Sequence, residues 1–217
     1  MKTSFDVAVL DYGMGNLHSV SKALQHVAPD ATVYVGAEPE TILAANRIVY
    51  PGVGAIRDCI AEVKRLGLDQ LISKVVKSKP LLAICVGMQG LMRRSSENNG
   101  VDCLGFFDYD VDYFSDHFEG TSYAGALKVP HMGWNAVEQS RTHPLWHGIQ
   151  SGARFYFVHS YFVPSEGCSE ATGIVTHGVD VVAAIARDNV FATQFHPEKS
   201  HRDGLKLLEN FMCWDGG

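Results

Sequence analysis

Residues 80–92 read Pro-Leu-Leu-Ala-Ile-Cys-Val-Gly-Met-Gln-Gly-Leu-Met, and this stretch determines the predicted fold. Its first half is an unbroken apolar run, which is typical of a strand buried on both faces of a parallel sheet. After Cys85, a glycine and helix-compatible residues follow without a loop. The stretch therefore predicts a buried strand that turns sharply into a helix, with Cys85 at the turn.

Cys85 at such a turn has two interpretations. A side chain there stands clear of the sheet, beside the N–H of the next residue and the positive end of the new helix. That setting favours the thiolate, which is the nucleophilic form of cysteine. The alternative is a buried cysteine that fills the core as a small apolar side chain. Residues 80–92 by themselves leave both interpretations open.

Length and composition indicate one globular domain. A chain of 217 residues with 46% hydrophobic and 19% charged residues is long enough for one α/β core, so we expect a single domain over residues 1–217. The formal net charge of −6 argues against a nucleic acid or an anionic membrane as the main partner. The only apolar run near the start, residues 7–10, is too short for a signal peptide or a membrane span. We expect a cytoplasmic protein.

The cysteines are predicted to act as thiols. All five are scattered, and no Cys-x-x-Cys pair occurs. This pattern fits neither a disulfide framework nor a cysteine zinc site. We expect no metal and no cofactor.

Strand and helix patterns alternate through the first half of the chain. Strands are predicted at residues 5–10, 31–35, 47–50 and 81–85, with helices after the first, third and fourth of these and another over residues 68–77. The alternation predicts an α/β fold with a doubly wound parallel sheet, whose catalytic groups lie at the carboxyl ends of the strands. The glycine-rich turn at residues 11–16 lacks a third glycine, so a tight turn is favoured over a nucleotide site.

The second half changes to short, aromatic, alternating segments, which predict mostly antiparallel strands that cover or extend the sheet. Residues 115–124 are rich in Gly, Asp and Ser and are predicted to form a mobile surface loop. The last helix is predicted to bury Leu205, Leu208 and Met212. The predicted strands cover residues 106–114, 126–129, 134–137, 154–158, 174–176, 181–186 and 190–195.

Candidate partners for Cys85 come from two places in the chain. Strand 190–195 ends at His196, and an extended backbone puts Glu198 on the same side, where it can hold the imidazole. A zinc deaminase would need a downstream Pro-Cys-x-x-Cys, and a serine hydrolase would need Gly-x-Ser-x-Gly; neither occurs. Oxyanion donors are expected from the N–H of Val86 and from the Gly52-Val53-Gly54 loop. The residues together predict acyl transfer through a thioester.

Cys-x-Gly-x-Gln at residues 85–89, joined to His-Pro-Glu at 196–198, resembles the class I (triad) glutamine amidotransferases. Residues 11–17, 130–135, 157–161 and 194–200 are similar to the glutaminase subunits of imidazole glycerol phosphate synthases within that family. The resemblance runs from about residue 5 to the last helix. One departure is Ala83, where the family usually has glycine.

The resemblance implies a class I amidotransferase-like α/β fold and a complete reaction. Cys85, His196 and Glu198 would hydrolyse glutamine to glutamate and ammonia. Glutamine would be bound by Gln89, by Glu97 at its α-ammonium, and by the backbone of Ser160 and Tyr161. Without the resemblance, Glu97 would be read as part of a solvated loop.

The resemblance also implies a partner, a TIM-barrel cyclase subunit that receives the ammonia and makes imidazole glycerol phosphate and AICAR in histidine biosynthesis. The expected interface comprises Pro130, His131, Met132, Gly133, Trp134, Asn135 and Lys199. The alternative to an interface role is that Trp134 fills the protein's own core. The oxyanion loop is expected to reorganise when the partner binds its ligand.

Three other functions remain open at this point. A paralogous subunit could feed ammonia to a different synthase. A pseudoenzyme could bind the partner without catalysis, although the complete triad argues against it. An esterase-like cysteine hydrolase would leave residues 130–135 and 157–161 unexplained.

Overall fold

The structure is a computed structural model that describes residues 5–217. The prediction that the start of the chain holds no signal peptide includes residues 1–4, which lie outside the described residues. Within residues 5–217, no helix combines the length and apolar character needed to cross a membrane.

The first half of the chain contributes four parallel strands to the large sheet. Its strands are β1 (Val7–Leu10), β2 (Val33–Gly36), β3 (Arg47–Gly52) and β4 (Leu81–Cys85), in the spatial order β2-β1-β3-β4. β1 and β4 are buried at every position, because helices cover both faces of the sheet. The helices of this half are α1 (Leu17–Val27), α2 (Pro39–Ala44), α3 (Ile56–Arg65), α4 (Leu68–Val75) and α5 (Val86–Gly90).

The second half of the chain extends this sheet with antiparallel strands and adds a small sheet. The small sheet has the order β10-β7-β5-β6 and contains β5 (Arg94–Ser95), β6 (Val101–Asp102), β7 (Asp110–Tyr113) and β10 (Tyr161–Phe162). The large sheet gains β8 (His131–Gln139), β9 (Ala153–His159), β11 (Ala171–His177), β12 (Val179–Arg187) and β13 (Val190–Thr193). The remaining helices are α6 (Phe114–Phe118) and α7 (His201–Cys213).

β13 connects the two halves. It pairs parallel with β4 and antiparallel with β12, so the nine strands run β2-β1-β3-β4-β13-β12-β11-β8-β9. Thr193 lies opposite Ile84, so the chain beyond β13 emerges beside Cys85. The predicted parallel sheet, and the shared edge for the turn after β1, the loop after β3 and Cys85, are confirmed.

Several local predictions are wrong. Residues 126–129 form a turn instead of a strand, because the N–H groups of Ala126 and Leu127 both donate to Tyr123 O. The strand predicted over residues 134–137 begins earlier, at His131, as β8, which pairs with β9. Helix α2 was not predicted.

The predicted loop at residues 115–124 begins inside a helix. Phe114 and Phe118, four positions apart, are both buried, and Phe114 stacks on Phe162 with ring centroids 4.3 Å apart. Burial of this aromatic pair holds α6 in place despite its polar residues.

The buried face of α7 also differs from the prediction. It comprises Gly204, Leu207, Leu208 and Phe211, whereas Leu205 and Met212 are only partly buried. A Cβ at Gly204 would lie 2.1 Å from Pro197 O, so the helix rests on this glycine. That close approach rotates the helix relative to the face predicted from the large apolar residues.

Candidate active site

Cys85 occupies a strained turn between β4 and α5. Its φ of 56° and ψ of −111° lie outside the regions that non-glycine residues normally adopt, a strain that costs about 1–3 kcal/mol. The turn fits because α5 packs closely on β3: a Cβ at Gly87 would lie 2.0 Å from Tyr50 O. The predicted sharp strand-to-helix turn is therefore present at Cys85.

His196 and Glu198 form a buried pair. His196 Nδ1 lies 2.8 Å from Glu198 Oε1, and Asn16 Nδ2 donates to the same oxygen at 3.4 Å. The pairing does not arise from strand alternation as predicted, because β13 ends at Thr193 and Pro197–Lys199 form a 3₁₀ turn. The turn brings Glu198 back beneath the ring.

Two opposing effects set the charge of His196. Burial lowers the pKa of the ring, but the Cys85 sulfur and the Glu198 carboxylate outweigh it and raise the pKa to about 10. Ring atom Nε2 is buried and has no hydrogen-bond partner within residues 5–217. Since a protonated imidazole beside a thiol favours the thiolate, the arrangement suits nucleophilic catalysis.

A pocket of about 400 Å³ opens above these groups. Its lining includes Pro130 and most of the predicted substrate-binding residues. Gly52 and Glu198 are not part of the lining, and Ala55, Val158 and His159 line it without having been predicted. The predicted residues in the lining are Val53, Gly54, Cys85, Val86, Gln89, Glu97, Ser160, Tyr161 and His196.

Glu97 is held at the rim of the pocket. Its Oε2 accepts a hydrogen bond from Ile56 N, at the start of α3, at 3.2 Å. The N-terminus of a helix favours a carboxylate, so this contact holds the Glu97 side chain in the lining of the pocket. A carboxylate at the mouth of a pocket of this size can bind an ammonium group.

Three hydrogen bonds hold the end of β3 and the loop that follows it. Val53 N donates to Met14 O at 3.2 Å, Cys59 Sγ donates to Val53 O at 3.4 Å, and Tyr12 Oη donates to Pro51 O at 2.8 Å. In this structure the Val53 N–H is therefore not available as an oxyanion donor. Val86 N lies in the first turn of α5, where N–H groups have no acceptor within the helix.

Two glutamine side chains lie beside Cys85. Gln89 Nε2 donates to Tyr161 O at 2.9 Å and to Gln194 Oε1 at 3.0 Å. Gln194 Nε2 donates to Cys85 Sγ at 3.8 Å. Gln194 was not predicted, although its place two residues before His196 was a usable signal.

The predicted partner stretch divides into exposed and buried residues. Met132 is 62% exposed, and Trp134 is partly exposed and stacks on His201 with centroids 4.7 Å apart. The side chain of His131 is buried instead, so it cannot contribute a surface contact. Lys199 is exposed directly after Glu198.

The family model of class-I glutamine amidotransferases matches residues 8–213. The chain is 55% identical to imidazole glycerol phosphate synthase subunit HisH 1 of Pseudomonas aeruginosa, with 97% of each chain covered. It is 50% identical to the HisH subunit of Nitrosococcus oceani, covering 97% of this chain and 98% of the relative.

Solved structures share the fold at lower identity. The crystal structure of a glutamine amidotransferase aligns with a TM-score of 0.65 at 18% identity, covering 94% of this chain and 98% of that one. PurLQS from Thermotoga maritima aligns at 0.64 and 16% identity, covering 98% and 99%. The expected class I amidotransferase-like α/β fold is thereby confirmed. The chain belongs to the class-I glutamine amidotransferase family, within its group of imidazole glycerol phosphate synthase HisH subunits.

Proposed function

We propose that this chain hydrolyses glutamine to glutamate and ammonia and passes the ammonia to a TIM-barrel cyclase subunit, which makes imidazole glycerol phosphate and AICAR in histidine biosynthesis. The observation that carries the proposal is the buried His196–Glu198 pair, with 2.8 Å between Nδ1 and Oε1, because His196 lines the same pocket as Cys85. The similarity to HisH subunits supports the choice of partner.

The proposed chemistry uses each member of the triad once per half-reaction. The Cys85 thiolate attacks the side-chain amide carbon of glutamine, and His196 gives its proton to the departing ammonia. The resulting thioester is attacked by water, which loses a proton to His196 as the thiolate leaves. Glu198 keeps the imidazole oriented and stabilises its charged form.

Substrate recognition is proposed to rest on charge at the rim and on backbone groups at the wall. Glu97, fixed by Ile56 N, would pair with the α-ammonium of glutamine. The backbone of Ser160 and Tyr161 would contact the amino-acid end from the opposite wall. A carboxylate is the natural partner for a free amino group inside a pocket.

Activation is proposed to require movement of the Gly52-Val53-Gly54 loop. The Val53 N–H is bonded to Met14 O, so the loop must release this bond before it can stabilise charge on a carbonyl oxygen. Binding of the partner and its ligand would favour the released loop. The proposed docking face is formed by Pro130, Met132, Trp134 and Lys199. Gly133 and Asn135 of the same stretch complete it.

The decisive experiment measures glutamate production from glutamine by the chain alone and with a cyclase subunit plus its nucleotide ligand. Cys85→Ala is the control in both arms. We expect strong stimulation by the liganded partner and no glutamate above background from the variant, because the thioester cannot form.

Other outcomes assign the chain differently. Full activity without the partner would keep the triad chemistry and reject coupling to the cyclase. No activity in either arm would favour a partner-binding pseudoenzyme. Stimulation by another synthase, but not by the cyclase, would identify a paralogous subunit.

A further inference from the structure

Gln194 is the only amide side chain that the structure bonds to the sulfur of Cys85 within residues 5–217. It follows β13, is 0% exposed, and its backbone N donates to Ala183 O at 2.9 Å. The contact of 3.8 Å between Nε2 and Sγ suits a large sulfur acceptor. A buried amide of this kind has no solvent to satisfy it, so its orientation depends on its partners.

Gln89 fixes that orientation. Its Nε2 donates to Gln194 Oε1 at 3.0 Å, which leaves the Gln194 nitrogen facing the sulfur. The same Gln89 nitrogen donates to Tyr161 O at 2.9 Å. Rotation of the Gln194 amide would place an oxygen against the sulfur and a nitrogen against the Gln89 nitrogen. Neither contact is favourable.

Tyr161 O joins this pair to two buried histidines. His159 Nδ1 lies 2.8 Å from Tyr161 O, and since a carbonyl only accepts, this nitrogen carries the proton. His159 Nε2, 2.9 Å from His131 Nδ1, is then the acceptor in a neutral ring. Burial lowers the pKa of both histidines, in agreement with neutral rings.

The chain of hydrogen bonds ends on β8. With its proton on Nδ1, His131 presents Nε2 as an acceptor to Asn135 Nδ2 at 3.2 Å. Asn135 Nδ2 also donates to Thr176 O at 3.0 Å, which anchors it to β11. From Asn135 the donors point toward Tyr161 O, which also accepts from Gln89. From Gln89 a second set of donors points through Gln194 to the Cys85 sulfur.

We propose that Gln194 is a positioning residue for the nucleophile, oriented by a buried hydrogen-bonded chain through Gln89, Tyr161 O, His159, His131 and Asn135. Its amide N–H stabilises negative charge on the Cys85 sulfur. The chain connects that sulfur to β8, the strand that carries the exposed Met132. The role deepens the proposed function and rests on Cys85 acting as its nucleophile.

The test is the rate at which iodoacetamide alkylates Cys85, followed across pH in the full chain. The thiolate displaces iodide from the reagent, so the rate follows the thiolate population. Peptide mass spectrometry separates Cys85 from the exposed Cys213. The assay needs neither glutamine nor a partner. A chain with reactive Cys85 but no glutaminase activity would reject the proposed function and leave this role intact.

Gln194→Met keeps the length of the side chain and removes the donor. We expect alkylation at pH 7 to slow about tenfold, because a hydrogen bond to a charged group is worth roughly that factor or more. Gln194→Glu, which places a carboxylate beside the sulfur, should slow the reaction further. His196 is retained in every variant, so these differences report on Gln194.

Trp146→Phe is the matched control. It removes another buried side-chain hydrogen bond, from Trp146 Nε1 to Thr172 O at 3.2 Å. This bond is not part of the hydrogen-bonded chain that orients Gln194. Its alkylation rate should equal that of the wild type. Folding of each variant is judged by circular dichroism. A wild-type alkylation rate in either folded Gln194 variant would overturn the role of Gln194. If neither variant folds, the rate of His159→Phe is the deciding measurement.

His159→Phe tests the far part of the chain. It replaces one planar ring by another and removes the bonds to Tyr161 O and His131. We expect Cys85 alkylation to slow about threefold, less than in Gln194→Met, since Gln89 still holds the amide. An unchanged rate would overturn the proposed chain.

Discussion

The carboxylate of Glu198 is fully buried and touches His196 Nδ1 but does not line the pocket. In the proposed reaction, its influence must therefore pass through the imidazole. Together with the Cys85 sulfur it keeps the pKa of His196 high against the effect of burial. A change at Glu198 should consequently alter the chemical step and leave glutamine binding almost untouched.

Glu198→Gln keeps the shape of the side chain and removes its charge. We expect kcat of the partner-stimulated glutaminase reaction to fall about 10- to 100-fold, because a hydrogen bond to a charged group contributes about 1.5–3 kcal/mol. KM for glutamine should stay near the wild-type value. Steady-state kinetics measure both constants.

The control for this variant is Glu209→Gln on α7, where the exposed carboxylate pairs with Lys206. It should have wild-type kinetics. An unchanged kcat in Glu198→Gln, or a change confined to KM, would show that Glu198 does not act through His196.

At the scale of elements, the loop after β3 is held by three neighbours. Met14 O, Cys59 and Tyr12 each bind one backbone group of residues 51–53. The Tyr12 ring is itself buried, and burial raises the pKa of its hydroxyl, so it stays a neutral donor. The glycine turn after β1 thus restrains the loop that was predicted to bind the oxyanion.

Tyr12→Phe removes the bond from the hydroxyl to Pro51 O and should weaken the held form of the loop. A neutral hydrogen bond contributes about 0.5–1.5 kcal/mol, so the unstimulated glutaminase rate should rise roughly 2- to 10-fold. The rate with liganded partner should change little, since the loop is released there in both proteins. The ratio of the two rates is the measurement.

Tyr34→Phe is a suitable control, because the Tyr34 hydroxyl accepts a hydrogen bond from Glu38 N at the far edge of the sheet. Its stimulation ratio should match the wild type. If Tyr12→Phe lowered the unstimulated rate, the Tyr12 contact would be supporting the active loop and not the held one.

On the scale of the whole molecule, buried histidines set the response to acid. Burial lowers the pKa of His131, His143 and His159 below the ordinary value of 6.5. Below pH 6.5 the unfolded chain takes up protons that the folded protein holds off, so the free energy of unfolding falls as the pH falls. These groups do not affect stability above that pH.

Other groups act in different pH ranges. The raised pKa of His196 gives a contribution that is complete below pH 6.5 and is lost as the pH rises toward about 10. The hydrogen bond from Arg187 lowers the pKa of Glu170 below 4.5, so its contribution is lost only at still lower pH. Between pH 7 and pH 5 the His196 contribution rises as the pH falls, so the loss of stability over this range comes from the three buried histidines.

We expect the free energy of unfolding to fall between pH 7 and pH 5, with about 2 kcal/mol of the loss coming from His159, whose ring stays neutral when folded. His159→Phe should reduce the pH dependence by about that amount, even if its stability at pH 7 is lower. Urea unfolding at the two pH values measures the difference. His26→Asn, at an exposed position on α1, should keep the wild-type dependence, and equal dependence in all three proteins would refute the assignment.

The sequence by itself determined the parallel sheet and the sheet edge at which Cys85, His196 and Glu198, the proposed triad, lie. These follow from local information: apolar runs of strand length, a glycine next to a cysteine, and short spacing between a histidine and a glutamate. Each is set by backbone geometry over a few residues. Even so, the 3₁₀ turn that joins His196 to Glu198 did not follow from the spacing.

The tertiary structure alone decided the features that depend on residues far apart in the chain. Val53 is bonded to Met14, Gln194 to Cys85, and His131 turns inward to His159, across separations that no local pattern encodes. The same holds for residues 126–129, which have the composition of a strand but pair with no neighbouring strand. Hydrogen-bond satisfaction inside the core is a property of the whole packed chain, and it settled these positions.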